Sequence, residues 1–311
     1  MARYLALRVT QSLFTVFLIV STVFVLVRLA PGDPAAAVGG PTATTEDLQA
    51  IREELGLVGS VPQQYWHFVT GLVQGDLGLS YSFRQPALEV VLERLPYTIT
   101  LAGAAVLLMA LIAIPLGIFT ARRANSGWDV GANIGTIAGQ SMPEFWTGIM
   151  LLTLLSVVVP VFPASGFTSW PGLVLPAVTI ALLQIALISR LVHREMAGNL
   201  AAPFVTVARS RGVAERALTW RYAFANSSIP VVTALGTRFA AMLNGVVVVE
   251  VVFAWPGIGS LVVRALETRD YPLIQATVLV TSLLAIGVQL LVDLLYPLLD
   301  PRVRVGKAVS R

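Results

Sequence analysis

Six stretches of the chain are almost continuously apolar, and each is long enough for a helix to cross a bilayer core, which takes about 20 residues. They run over Val9–Val27, Tyr97–Ala121, Ile134–Val159, Leu173–His193, Ile229–Phe253 and Leu273–Leu295. Of 21 basic and 17 acidic residues they hold just Glu144, Arg190, Arg238, Glu250 and Asp293. The segregation predicts an all-α integral membrane protein with six spanning helices. Arg3 and Arg8, with the Ala-rich run after Pro31, have features of a signal peptide. The first apolar stretch is longer than a usual signal core, so an uncleaved span is expected.

The connecting segments carry their own pattern. Within residues 28–96, Thr44 and Asp47 have capping-box spacing, Leu48, Ile51 and Leu55 recur at helical intervals, and Gly56 supplies a stop. A second helix is expected over Pro62–Gln74, with Tyr65, Phe68, Val69 and Leu72 on one face before Gly75, and a third over Ala87–Leu95. Eight acids oppose Arg52, Arg84 and Arg94 here, so the region should be wet. Two readings are open: a cap resting on the membrane helices, or a docking platform for an external partner.

The segment Arg194–Ser228 is punctuated more finely. Pro203 suits the first turn of a helix, where its missing N–H is unpaired anyway. Phe204, Val207 and Ala208 share a face over about two turns, Arg209 and Arg211 flank it, and Gly212 suits a left-handed stop. A second amphipathic piece passes through Leu218, Tyr222 and Phe224, and Asn226-Ser227-Ser228 is expected to cap the fifth span, with Pro230 in its opening turn. A basic loop on anionic lipid needs no such helix–glycine–helix order; a protein-docking lever does. After the fifth span, Trp255-Pro256-Gly257-Ile258-Gly259 breaks the helix, either as a re-entrant corner or as the lining of a pathway. Ser260–Leu266 can restart it before Arg269-Asp270-Tyr271-Pro272 opens the last span.

Composition narrows the function class. The 311 residues are 56% hydrophobic and 12% charged, with a net charge of +4. A mean hydropathy of +0.79 excludes a disordered chain or a conventional nucleic-acid binder despite the basic pI. Placing the N-terminus inside puts Arg122, Arg123, Arg209, Arg211, Arg216 and Arg221 on cytoplasmic flanks, so both termini are predicted cytoplasmic. Cysteine is absent, no G-x-x-x-x-G-K-[ST] occurs, and His67 and His193 fall on opposite predicted sides. No catalytic residue, metal ligand set or cofactor site is expected, and the chain is not expected to be an enzyme.

The intramembrane charges need partners or water. Arg238 and Asp293 fall in the inner halves of their spans and can pair, or each can be satisfied separately. Glu250 can snorkel outward or cap the broken helix. Glu144 can serve a proton relay or simply adjoin a kink at Pro143.

The ordered motifs resemble the B-type permease subunits of bacterial dipeptide/oligopeptide ABC importers over nearly the whole chain. They are Arg28-Leu29-Ala30-Pro31-Gly32-Asp33-Pro34, Gly75-Asp76-Leu77-Gly78, Glu93-Arg94-Leu95-Pro96, Ala208-Arg209-Ser210-Arg211-Gly212, Val249-Glu250-Val251-Val252-Phe253, Trp255-Pro256-Gly257-Ile258-Gly259, Arg269-Asp270-Tyr271-Pro272 and Asp293-Leu294-Leu295-Tyr296 with Asp300-Pro301-Arg302. Pro203 and Thr206 depart from the acidic and basic residues common in that family's cytoplasmic loop.

The resemblance implies a type I importer permease fold. Residues 1–28 would be the N-terminus and first span, 29–96 an extracytoplasmic helical region, and 97–311 the core permease with a coupling loop at 194–228 and a cytoplasmic tail. It implies a bacterial inner-membrane subunit paired with a homologous permease. Two ATPase subunits (or one fused or dimeric pair) would bind ATP and Mg below, and an extracytoplasmic substrate-binding protein would deliver cargo above, with no nucleic-acid partner. Phe204, Ala208, Arg209, Arg211, Gly212 and Glu215 would couple to the ATPase. Arg238, Asn244, Glu250, Trp255, Pro256, Gly257 and Asp293 are candidates for structure or the translocation path. Cargo among dipeptides, longer peptides, glutathione, nickel chelates and haem is left open. The alternative, an ion-coupled secondary transporter, needs inverted repeats of broken helices that the chain does not display.

Overall fold

The computed structural model describes residues 2–30, 32–124, 126–127, 131, 134–135, 141–167 and 169–299. Among the described residues every regular element is a helix. In chain order they are α1 (Ala2–Leu29), α2 (Pro34–Gly39), α3 (Thr45–Glu54), α4 (Val61–Gln74), α5 (Ala87–Arg122), α6 (Glu144–Leu152), α7 (Val174–Leu200), α8 (Pro203–Ser210), α9 (Glu215–Ala217), α10 (Ala225–Gly245), α11 (Val247–Val252), α12 (Ile258–Glu267) and α13 (Tyr271–Leu299). A π-helical turn extends α6 over Thr153–Val158, a 3₁₀ turn at Trp170–Leu173 leads into α7, and a second π segment at Leu218–Phe224 joins α9 to α10. Among the described residues four helical stretches are long and apolar enough to cross a membrane: Thr10–Leu29, Ala87–Arg122, Trp170–Leu200 and Tyr271–Val292.

Local signals hold where the chain turns. Thr44 and Asp47 form the full capping box at α3, and α4 ends at Gly75 in a left-handed conformation. Four expectations are corrected. No separate helix covers Ala87–Leu95, because α5 runs unbroken through Pro96 for 36 residues; proline removes one backbone bond, and packed neighbours tolerate the loss. Asn226-Ser227-Ser228 does not cap a new helix. Asn226 Nδ2 donates to the Tyr222 carbonyl at 2.7 Å, Ser227 Oγ to Ala223 at 2.9 Å and Ser228 Oγ to Ala225 at 2.7 Å, so these side chains bond backward and the helix runs on. The fifth stretch is not one helix either: it breaks between Gly245 and Val247. Pro143 kinks nothing, since it is the extended cap residue just before α6. Of the third stretch, an apolar helix over Glu144–Val158 is described, and residues 136–140 lie outside the described residues.

The chain divides into two compact units. The first comprises Met1–Ile99 and Ala254–Ile286. Its core joins Val16, Val20 and Val27 of α1, Val90 and Val91 of α5, Ile258, Leu261 and Ala265 of α12, and Leu273 and Ile274 of α13. The second comprises Thr100–Phe253 and Gly287–Arg311. Within it α7 is the central element, packed by α6, α10, α11 and the π segment, and its Leu175, Ile180, Ile188, Val192 and Met196 are buried. Gly117 of α5 lets that helix come close to α7: a Cβ there would lie 2.6 Å from the Ser189 carbonyl and from Val192. Nearby, His193 Nδ1 and Thr120 Oγ1 are 3.0 Å apart.

Candidate functional site

In the second unit, residues 203–224 form a small lobe with its own apolar centre. Pro203 opens α8 as expected, and Gly212, at φ +79°, ends it. Val205, Ala208 and Leu218 are buried together, with Val213 and Tyr222 packed on them. Of the expected coupling residues, Ala208 therefore faces inward, into the lobe. Phe204, Arg209, Arg211, Gly212 and Glu215 are exposed. Arg209 Nε donates to Glu215 Oε1 at 2.7 Å, closing the turn around Gly212. That hydrogen bond is the main reason the Glu215 carboxyl sits below its ordinary value, and Arg209 is held correspondingly above its own.

The outward side chains include Phe204, Val207 and Trp220, which are 43%, 50% and 48% exposed. Beside the lobe an open cleft of about 310 Å³ is lined by Pro115, Phe119, Arg122, Arg123, Thr219 and Trp220, and the Arg123 guanidinium lies 4.4 Å from the Phe119 ring centre. An exposed, preformed surface of aromatic and arginine side chains is the composition of a protein-binding patch. Spacing identified Phe204 and the arginines; Val207 was placed on the helix face, whereas Trp220 went unnoticed because it lies in the π segment.

In the first unit the breaking motif after Phe253 is firmly anchored. Ala254 takes a left-handed conformation at φ 48°. Trp255 is buried, its Nε1 donating to the Tyr97 carbonyl at 3.1 Å, and the Ile258 N–H donates to Thr98 Oγ1 at 2.8 Å. Pro256 is half-buried and Gly257 buried. A cluster that sequence reasoning missed lies in the same unit. Asp270 is fully buried; its Oδ2 accepts from Ser80 Oγ at 2.6 Å and from the Ser82 N–H at 2.9 Å, while Oδ1 accepts from the Leu273 N–H at 3.2 Å. The motif containing Asp270 is legible, but its partners lie some 190 positions away. Burial also pushes the neighbouring Tyr81 hydroxyl well above its ordinary value.

The remaining path candidates are not gathered into one site by the described contacts. Arg238 is half-buried on α10 and Glu250 fully buried on α11, so Glu250 does not extend to water from its own unit. The side chains of Asn244 and Asp293 lie outside the described residues, and with them the expected Arg238–Asp293 pair.

Comparison with known proteins identifies the family. The family described as binding-protein-dependent transport system inner membrane component matches residues 113–305, and its N-terminal counterpart matches residues 1–102. A probable peptide ABC transporter permease protein of Sinorhizobium fredii is 35% identical, over 98% of this chain and 100% of its own length. A glutathione transport system permease protein of Escherichia coli is 34% identical, over 98% of this chain and 99% of its own. A putative peptide transport system permease protein of Brucella abortus is 36% identical, over 96% and 97%. The chain thus belongs to the binding-protein-dependent transport system inner membrane component family, the membrane permeases of ABC importers.

Proposed function

We propose that this chain is one of two permease subunits in an ATP-driven importer of peptides, embedded in a bacterial inner membrane through six spans with both termini cytoplasmic. Its relatives carry peptide and glutathione permease names at 34–36% identity over nearly full length, which supports a small-peptide cargo. In this reading the lobe 203–224 faces the cytoplasm and docks on a separate ATPase subunit, and residues 28–96 seat an extracytoplasmic binding protein. ATP and Mg belong to the ATPase pair. Closure of that pair moves the lobe and shifts the permease between inward- and outward-open states.

The observation that carries the reading is the preformed lobe. A short helix fixed by an internal cluster and an Arg209–Glu215 pair transmits a push as a body, where a flexible basic loop would absorb it. Purification of the intact complex with mass spectrometry of its subunits and of any retained ligand tests partners and cargo together. Recovery without an ATPase or a second permease would overturn the proposal. Gly212→Val tests the lobe itself. A Cβ at Gly212 meets no other atom of the chain within 4 Å, so within the chain the penalty comes chiefly from the left-handed backbone, about 1–2 kcal/mol or more for a β-branched residue. Uptake and coupled ATP hydrolysis should fall while membrane insertion survives; unchanged uptake would count against coupling through this turn.

A further inference from the structure

Helix α4 carries three stripes, where a helix lying on protein in water needs two. Tyr65, Phe68 and Leu72 face their own unit. Tyr65 Oη is 2.7 Å from Ser21 Oγ, and the Tyr65 and Phe68 rings lie 5.1 and 5.3 Å from the Phe24 ring of α1. Gln63, His67, Thr70 and Gln74 recur at i, i+4, i+7 and i+11 and make a polar stripe. Pro62, Trp66, Val69 and Val73 recur at the same spacing one residue earlier, about 100° around the helix, and make a second apolar stripe. Within the chain Trp66 is 67% and Val73 84% exposed. Not one of the 14 residues of α4 is Asp, Glu, Lys or Arg, although the segment around it holds eight acids.

Depth follows from the contact with α1. Ser21 belongs to the apolar span Thr10–Leu29. It stands two helical turns, about 12 Å, short of the end of that span at Leu29. Tyr65 Oη reaches Ser21 while Gln64 Oε1 accepts from Arg28 Nε at 2.9 Å, so α4 lies beside the last two turns of α1 and not beyond its end. At the same level α1 exposes Leu18, Val25 and Leu26.

We propose that α4 is an interfacial helix seated in lipid at the headgroup–acyl boundary. Pro62, Trp66, Val69 and Val73 enter the acyl region, and Gln63, His67, Thr70 and Gln74 face headgroups and water. A charge-free helix with one polar flank, and a tryptophan on the apolar flank, has the composition of helices that lie in the interface plane. Which leaflet it occupies rests on the orientation proposed above; its depth does not.

The chain has no cysteine, so single spin labels are placed without background from it. Trp66→Cys, Val73→Cys, His67→Cys and Gln74→Cys are assembled into the full complex, with partner cysteines replaced, in nanodiscs of phosphatidylcholine and phosphatidylglycerol. Accessibility to oxygen and to a water-soluble nickel chelate is then measured. The ratio of oxygen to nickel collision should be several-fold higher at 66 and 73 than at 67 and 74. Equal, nickel-dominated collision at all four would place α4 in water and overturn the proposal. Immobile labels at 66 and 73, shielded from both reagents, would mean that another subunit covers the stripe, and would overturn it equally. Val69→Cys and Thr70→Cys give the same comparison if a first pair fails to assemble. Labelling of Arg84→Cys by an impermeant thiol reagent reports the leaflet separately, so a wrong orientation is distinguished from a wrong depth.

Discussion

Asp270 is fully buried, yet its carboxylate has three donors: the Ser80 hydroxyl, the Ser82 N–H and the Leu273 N–H. Hydrogen bonds to a charged acceptor contribute about 1.5–3 kcal/mol each, and a buried donor left without its acceptor costs its full desolvation. Asp270→Ala should therefore destabilise the first unit by about 3 kcal/mol or more. The expected outcome is a lower midpoint of thermal unfolding and new protease cleavage within residues 78–86, seen by thermal shift and limited proteolysis. Asp270→Asn should lose less, since an amide oxygen still accepts from Ser80. Protection equal to wild type in the alanine variant would remove the carboxylate from its holding role. The residue also shows where local reading stops: aspartate ahead of Tyr271-Pro272 announces a helix start, but nothing nearby announces Ser80.

The helices were legible wherever the signal is local. The capping box at Thr44, proline at the head of α8, glycine at its end and four of the six apolar stretches correspond to described elements. The errors share a cause, which is that breakers and caps are read from residue type while a long helix is decided by its neighbours. The outer helix expected over Ala87–Leu95 is the start of α5, which passes through Pro96; Asn226-Ser227-Ser228 has cap composition, yet those side chains bond backward. In the lobe, spacing pointed to Phe204, Arg209, Arg211 and Gly212, but not to the burial of Ala208 in the internal cluster. Helix contacts themselves yield a sharper expectation. Where α5 meets α7, a Cβ on Gly117 would lie 2.6 Å from a backbone carbonyl, which cannot rotate away. Small residues permit such approach in membranes, and overpacking costs about 1–3 kcal/mol. Gly117→Val should lower the thermal stability of the detergent-solubilised complex, whereas Gly103→Ala, which meets no atom of its own chain within 4 Å, should leave it unchanged.

For the whole molecule, the distribution of arginines predicts sidedness. Single cysteines at Arg84 and at Arg211 should react with an impermeant thiol reagent from opposite faces, position 84 in intact cells and position 211 only after the membrane is opened. Labelling of both from one face would refute the orientation. The way the lobe is built also bears on how such importers diversify. Its shape is set by Val205, Ala208 and Leu218, which point inward, while Phe204, Val207, Arg211 and Trp220 point outward. Surface substitutions away from caps and cores usually change stability by less than about 0.5 kcal/mol. On the docking proposed above, the outward set can drift together with a cognate ATPase while the fold of the lobe stays fixed, so that duplicated transport systems would come to reject each other's motors without redesigning the lever.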